Sequence, residues 1–272
     1  MSKTPFMPTA KDFSGSVPEA YDQYLGPFCF QPFAEELASR LPKQERLDIL
    51  ELACGTGVLT EELHKRRPSD RLVATDLSDG MLAVARKRST LAAVEFKIAD
   101  AQELPFDDAS FDVVACQFGW MMFPEKPTAA QEALRVLRPG GLLIFDVWDG
   151  LPANPPFDIA SEVIAPLFDG EKRFSGPFGY NDIEAAKQVL TDAGFVKVEG
   201  ERVAKVGVAD SAESVAKGQL LGTPMYQAIL ERDGSALEPS IARLTERLAE
   251  AFGDRPLRAP LQAIFVWGRG PG

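Results

Sequence analysis

Among 272 residues this chain has a single histidine, His64, and only three cysteines, Cys29, Cys54 and Cys116. The cysteines are isolated, odd in number and without CxxC spacing, which argues against a disulfide framework and for a reducing compartment. His64 sits among charges in "HKRRP" at a helix end. Cys–His catalysis and multi-histidine metal sites are therefore not expected, and no metal is assigned. No apolar run reaches the roughly 18–20 residues that span a bilayer. The opening "MSKTPFMPTAKDFSGS" also lacks the hydrophobic segment of a signal peptide. Both absences lead to the expectation of a cytoplasmic protein without membrane insertion. Positive charge is scarce too: 29 Lys and Arg against 40 Asp and Glu leave a net −11. Such a surface repels phosphate backbones, so nucleic acid is not an expected partner. "HKRRP", the densest basic run, reads as a solvated helix end.

What the chain does have suits a globular core: 45% apolar residues and 18 phenylalanines. Its length allows one elaborated domain or two. The expected division is an N-terminal helical cap over 1–42, then one domain over 43–272 with helical insertions at about 150–180 and 209–258. The first 17 residues read as frayed, and 19–41 as two short helices broken near Gly26-Pro27. From residue 47 strands and helices alternate. "LDILELA" (47–53), "RLVATD" (71–76), "VEFKIAD" (94–100), "FDVVACQ" (111–117) and "LLIFDVW" (142–148) read as strands. Helices are expected over 58–67, over 78–88 with Ser78 as N-cap, and in "PTAAQEALRVLRPGG", ending at Pro139-Gly140-Gly141. Continuously apolar strands in repeated strand–helix units mean a parallel sheet covered on both faces.

After Trp148 the rhythm changes. One helix is expected near 159–168 and another in "NDIEAAKQVLTDAGF", closed by Gly194. Strands follow at 195–208 and 261–270, with about three helical stretches over 211–258 between them. These late helices are expected to pack over the ligand edge of the sheet.

The stretch "ILELACGTGVLTEEL" (49–63) runs from a buried strand through a glycine turn into a helix. Open parallel sheets bind ligands at the carboxyl ends of their strands. Gly55 and Gly57 let the backbone approach a ligand, and the helix from Val58 offers free N–H groups to an anion. A dinucleotide fingerprint would place glycine at 53, 55 and 58; the chain has Ala53, Gly55 and Val58, and Gly57 falls one place early. No GK[ST] follows. The loop therefore reads as built for a carboxylate rather than a pyrophosphate. Asp76 ends the second strand, 19 residues beyond Gly57, where a carboxylate accepts from both hydroxyls of a ribose unless it is only a capping group. Asp100 ends the third strand and can take an adenine amino proton, with Ala101 donating its backbone N–H and Gln102 following.

The string "LELACGTG … VATDLSDGMLAVARKR … ADAQELPFDDASFDVVACQFGWMMFPEKPTAAQEALRVLRPGGLLIF" resembles class I S-adenosylmethionine-dependent methyltransferases, nearest to the ubiquinone/menaquinone-biosynthesis branch. It covers roughly 47–145, and "LPFDDASFDVV" and "ALRVLRPGG" are its most telling parts. The resemblance implies an α/β, Rossmann-like, seven-stranded, mostly parallel sheet with its last strand antiparallel and helices on both faces. It implies S-adenosyl-L-methionine as cofactor, with S-adenosyl-L-homocysteine as product. The methionine moiety would lie against Glu51, Ala53, Cys54, Gly55, Thr56 and Gly57, and the ribose on Asp76. The adenine would sit among Leu77, Met81, Asp100, Ala101 and Gln102. Gln117 and Phe118 would flank the amino group and the reactive methyl, and Tyr24 belongs to a segment that closes over the cofactor in related enzymes. One departure stands out: many members have glycine where this chain has Ala53.

Methyl transfer from a sulfonium is an in-line displacement in which a general base is optional, so no catalytic residue is assigned. Glu125, Asp146 and Asp149 are base candidates, although such carboxylates are more often solvated or capping. "FGWMMF" (118–123) is too apolar for an exposed loop; it either lines an acceptor pocket or packs under the late helices. Acceptor-facing candidates are Tyr21, Trp120, Met121, Tyr180 and Tyr226, with Phe178 and Met225 as weaker ones; for Tyr21 and Tyr24 core packing is the alternative. The expected function is methyl transfer to a small hydrophobic or aromatic acceptor. The alternatives are a nicotinamide-dependent oxidoreductase, for which no Tyr-x-x-x-Lys pair is found, and a non-catalytic cofactor-binding module.

Overall fold

The structure is a computed structural model that describes residues 12–170 and 176–272. Of the stretch expected to be frayed, residues 1–11 lie outside the described part. The chain runs α1 (Val17–Ala20), a π-helical segment (Tyr21–Phe30), α2 (Gln31–Ser39), β1 (Asp48–Leu52), α3 (Val58–Arg66), β2 (Arg71–Asp76), α4 (Asp79–Ala85), β3 (Glu95–Ile98) and β4 (Phe111–Gln117). It continues through α5 (Lys126–Val136), β5 (Leu137–Trp148), α6 (Pro155–Ile164), α7 (Ile183–Asp192), β6 (Val196–Ala209), α8 (Ala212–Leu221), α9 (Met225–Asp233), α10 (Leu237–Phe252) and β7 (Leu257–Arg269).

The seven strands form one sheet in the order β3-β2-β1-β4-β5-β7-β6. β1 pairs parallel with β2 and β4, β2 with β3, and β4 with β5, whereas β7 runs antiparallel to β5. The order reverses at β1 and β4, so their carboxyl ends flank the crevice where such sheets bind ligands. Ile49–Leu52 and Val113–Cys116 are buried without interruption, as expected of strands covered on both faces.

Two local expectations are corrected. Gly26-Pro27 does not break the N-terminal helix; Val17–Ser39 is helical throughout, with Pro27 inside the π-helical segment. Proline has no N–H and crowds the carbonyl four residues back, and a wider turn relieves both defects. The Gln31 N–H accordingly reaches the carbonyl of Gly26, five residues back. Second, α5 stops at Val136, and Pro139-Gly140-Gly141 lies within β5 rather than at a helix end. The β4–β5 register slips between Phe111 and Val113, and Gly140 takes φ 74°. A bulge of this kind is where a strand uses glycine.

The chain divides into two compact units. The sheet unit comprises residues 33–148, 180–203 and 263–272, and the helical unit the described residues up to 32 with those of 149–179 and 204–262. In the helical unit, α10 buries Ile241, Leu244 and Leu248, one stripe of an amphipathic helix. Asn154, wholly buried there, donates to the carbonyls of Asp149 and Gln262 (both 3.0 Å) and accepts from the Gln262 N–H (2.9 Å). Among the described residues no helix is long and apolar enough to cross a membrane.

Candidate active site

β1 ends at Leu52, and the chain then turns through Ala53 (φ 51°), Gly55 (φ 56°) and Gly57 (φ 87°) before α3 begins. Only glycine adopts this left-handed region freely, and another residue costs roughly 1–2 kcal/mol there. That is the physical reason glycine suits position 53. The turn is stitched to its neighbours: Cys54 N–H donates to Thr75 O (2.9 Å), Gly57 N–H to Cys54 O (2.9 Å), and Thr75 Oγ1 to Glu51 O (2.9 Å). The two glycines do different work. A Cβ on Gly57 would meet Ala85 and Leu91 at 3.2 Å, whereas nothing lies within 4 Å of one on Gly55. Gly57 serves packing, and Gly55 leaves its backbone open to a ligand.

Asp76, at the end of β2, accepts from Gly55 N–H through Oδ2 and from Ser78 N–H through Oδ1, both at 2.8 Å. A carboxylate offers about four acceptor positions, so these donors do not exhaust its capacity for hydroxyl groups. Burial raises its pKa, while these backbone donors pull it back. Leu77, the next residue, is 53% exposed, and Met81 is buried with its N–H on the Ser78 hydroxyl (3.3 Å). Beyond β3, Asp100 is held by Gln102, whose N–H (2.9 Å) and Nε2 (3.1 Å) donate to Oδ1. Gln102 Oε1 in turn accepts from Glu125 N–H (2.9 Å), tying this turn to the start of α5; Ala101 between them is buried.

At the end of β4, Gln117 pairs with Asp146 of β5. Phe118 takes φ 50°, and its N–H donates to both the main-chain oxygen (3.1 Å) and Oδ1 (2.8 Å) of Asp146. Its ring stacks on Trp148 at 3.8 Å and meets Phe33 edge-on at 5.5 Å. Next to it, a Cβ on Gly119 would stand 2.4 Å from Ala53 Cβ and 2.9 Å from Cys116 Sγ. The loops after β1 and β4 are thus interlocked, with the Ala53 methyl filling the space a side chain at 119 would need.

Two buried carboxyls lie in this region. Neither oxygen of Glu51 has a hydrogen-bond partner; burial pushes its pKa to about 8, moderated by the nearby Thr60 hydroxyl and raised further by Asp76. Asp146 is fully buried, and burial holds its pKa well above the carboxylate range, although Phe118 N–H favours the charged form. Asp146 therefore acts on the backbone of Phe118. Of the other base candidates, Glu125 is exposed, and Asp149 in the helical unit accepts from Gly150 N–H (2.8 Å).

Of the acceptor candidates, Trp120 is 0% exposed and stacks on Phe145 at 4.3 Å, which makes it a core residue; Met121 is buried beside it in sequence. Trp120 Nε1 and Tyr180 Oη are buried without a well-formed hydrogen bond. The indole N–H opposes the rise that burial imposes on the Tyr180 phenol, which still reaches about 12. Lys126 Nζ caps the Tyr180 ring at 4.7 Å, and burial lowers its pKa. Tyr21, Tyr24 and Tyr226 belong to the helical unit, where Tyr21 stacks on Phe30 at 4.6 Å. Phe178 packs on Phe157 there (5.0 Å), and Met225 is buried. Lys126, Gly119 and Trp148 carry no signal in the sequence, because their roles come from neighbours across the sheet or along a distant loop.

The donor set suits a ligand with a cationic end, a ribose and a flat ring: a carboxyl without partners at Glu51, an open turn at Gly55, a carboxylate with spare acceptor positions at Asp76, and an exposed leucine beside it. S-adenosylmethionine has these parts.

Comparison with known proteins agrees. The family described as "Methyltransferase domain" matches residues 50–145. The ubiquinone/menaquinone biosynthesis C-methyltransferase of Idiomarina loihiensis is 33% identical over 170 residues, spanning 56% of this chain and 68% of that protein. The demethylmenaquinone methyltransferase of Lactococcus lactis subsp. lactis is 38% identical over 176 residues, 57% of this chain and 68% of that protein. Several other relatives of these two names match over only 41–51% of their length. In fold, the phosphoethanolamine N-methyltransferase 2 of Haemonchus contortus, solved with S-adenosyl-L-methionine, superposes with TM-score 0.58 at 17% identity, covering 97% of this chain and 60% of that one. The chain belongs to the class I S-adenosylmethionine-dependent methyltransferases, in the ubiquinone/menaquinone-biosynthesis branch, and S-adenosylmethionine is its cofactor.

Proposed function

We propose that this protein methylates a small, apolar aromatic acceptor of the quinol class by in-line displacement. The observation that carries the reading is the similarity to quinone-biosynthesis methyltransferases over two thirds of their length. The wholly uncharged run 118–123, directly after β4, supports it.

In this reading the cofactor is held by Glu51, Ala53, Cys54, Gly55, Thr56, Gly57, Asp76, Leu77, Met81, Asp100, Ala101, Gln102, Gln117 and Phe118. The sulfonium supplies the electrophilic methyl group. The chain's own work is to fix the orientation of the acceptor and to exclude water. Asp146 keeps the Phe118 backbone in place, and Phe118 with Trp148 offers a rigid aromatic wall. Run 118–123 has no ionisable side chain, which suits an acceptor whose own hydroxyl feeds electrons to the attacking atom. Met121 and Tyr180 of the sheet unit then serve acceptor recognition.

The test is incubation with S-adenosylmethionine and a chemically reduced demethylmenaquinone analogue, followed by mass spectrometry. The expected product is one methyl group heavier and forms in step with S-adenosylhomocysteine. Cofactor binding without turnover of the quinol, alongside turnover of an unrelated acceptor, would contradict it.

A further inference from the structure

A cleft of about 270 Å³ lies over β5, β7 and β6, wholly within the sheet unit. Its floor is Leu142 and Ile144 of β5, both buried, with the half-buried Trp267 of β7 beside them. Its rim is charged: Arg40 follows α2, Lys197 and Glu199 come from β6, and Arg269 from β7. Each strand contributes alternate residues, as one face of a sheet requires. These three strands are the side of the sheet away from β2 and β3. On β5, Leu142 and Ile144 precede Asp146, the partner of Gln117, so the cleft lies apart from the crevice at the strand ends.

The cations of this rim differ in how they are held. Arg40 pairs with Glu36 (2.8 Å) and Glu201 (2.7 Å), and its guanidinium lies 4.6 Å from the ring centre of Phe265 and 5.5 Å from that of Trp267. Lys197 and Arg269 have no carboxylate within 4.0 Å among the described residues; Arg269 only donates to Gly140 O (3.3 Å). In a chain of net charge −11, two unpaired cations on one small cleft do not follow from composition. Lys197 also takes φ 50°. That conformation costs a lysine roughly 1–2 kcal/mol, and glycine or asparagine adopts it more readily. Strain of this kind persists where the side chain has a task.

A hydrated inorganic anion gains nothing from Leu142 and Ile144, and a hydrocarbon gains nothing from Lys197 and Arg269. A flat ring bearing one acidic group uses both, and the volume, just below the usual range of roughly 300–1,000 Å³, suits a single ring. We propose that this cleft binds a small aromatic carboxylate, with Lys197 and Arg269 on the carboxylate and Trp267, Leu142 and Ile144 against the ring. Glu199, on the same rim, disfavours ligands with a second acidic group. The site does not depend on the identity of the methyl acceptor.

Tryptophan fluorescence tests this directly. Of the three tryptophans, Trp120 and Trp148 are 0% and 4% exposed, so Trp267 is the one that reports on an added ligand. The full-length protein is titrated at constant ionic strength with benzoate, cyclohexanecarboxylate and inorganic phosphate. The expected result is saturable quenching by benzoate with a Kd on the order of 0.1–1 mM, and binding at least roughly tenfold weaker for the other two. Lys197→Asn and Arg269→Met should each raise the benzoate Kd roughly tenfold or more, and Lys197→Asn should leave Tm unchanged or raise it. Should Lys197→Asn fail to fold, Arg269→Met decides. No saturable quenching by benzoate would overturn the proposal. So would benzoate binding that the folded variants leave unchanged. Phosphate bound as tightly as benzoate would overturn the role of the ring.

Discussion

Glu51 is the most telling single residue, because burial holds its carboxyl neutral up to a pH of about 8. A carboxyl whose pKa rises on folding keeps a proton that the unfolded chain releases near 4.5. Its contribution to stability is full below the unfolded pKa and is lost as pH rises through about 8. Every tenfold difference in proton affinity between the folded and unfolded chain corresponds to about 1.4 kcal/mol, so the decline is on the order of a few kcal/mol. Glu51→Gln should flatten the fall in stability between pH 5 and pH 8.5, read by urea unfolding at a series of pH values. In the proposed site the cationic end of the cofactor favours the ionised form, so binding near neutral pH should release a proton. Calorimetry in buffers of different ionisation heat detects this. A second prediction concerns the interlock of Ala53 with Gly119. Gly119→Ala forces a Cβ into the Ala53 methyl and should cost about 1–3 kcal/mol. Adding Ala53→Gly should recover part of it, since it removes the 2.4 Å contact and a left-handed alanine while the 2.9 Å contact with Cys116 Sγ stays, and a double-mutant cycle in urea measures the coupling. The glycine turn and Asp76 are legible in the sequence because their spacing is local. The roles of Gly119 and Trp148 are not, because each depends on a neighbour brought in by the fold.

At the scale of the element, regular strands are readable wherever an apolar run has clear ends. β2 and β4 carry the bounds that "RLVATD" and "FDVVACQ" suggest, and Ser78 caps α4 as its position before the apolar stripe implies. Ser78→Ala should remove the bond to Met81 N–H and cost about 1 kcal/mol, lowering Tm. Binding of S-adenosylhomocysteine should be nearly unaffected, because the donor to Asp76 is the Ser78 backbone, which the substitution keeps. The two elements that differ from expectation are departures from ideal geometry. Pro27 is absorbed by a π-helical turn instead of ending a helix, and Gly140 serves a bulge in β5 instead of a helix terminus. Propensity marks both residues as breakers but does not say which irregular geometry will take them in. The close seat of α8 gives a further prediction at this scale: Gly218→Ala, 2.8 Å from Tyr24 Cβ, should destabilise the protein by about 1–3 kcal/mol in urea unfolding.

Over the whole molecule, the alternation of strands and helices makes the sheet readable from residues 47 to 148, and the antiparallel β7 agrees with the family resemblance. The partition into units is harder to read, because each is assembled from three separate stretches of chain that no local periodicity connects. The fold alone does not fix the reaction, since sheets of this kind carry many chemistries; the family match and the site residues narrow it. The central claim is that the turn after β1 and the carboxylate of Asp76 together hold the cofactor. Its most direct test is calorimetric titration with S-adenosylhomocysteine of the wild-type protein and an Asp76→Ala variant. The predicted result is wild-type binding in the micromolar range, on the order of −8 kcal/mol, and a Kd raised at least roughly tenfold in the variant. Absence of binding to the wild-type protein, or equal binding to both, would contradict it.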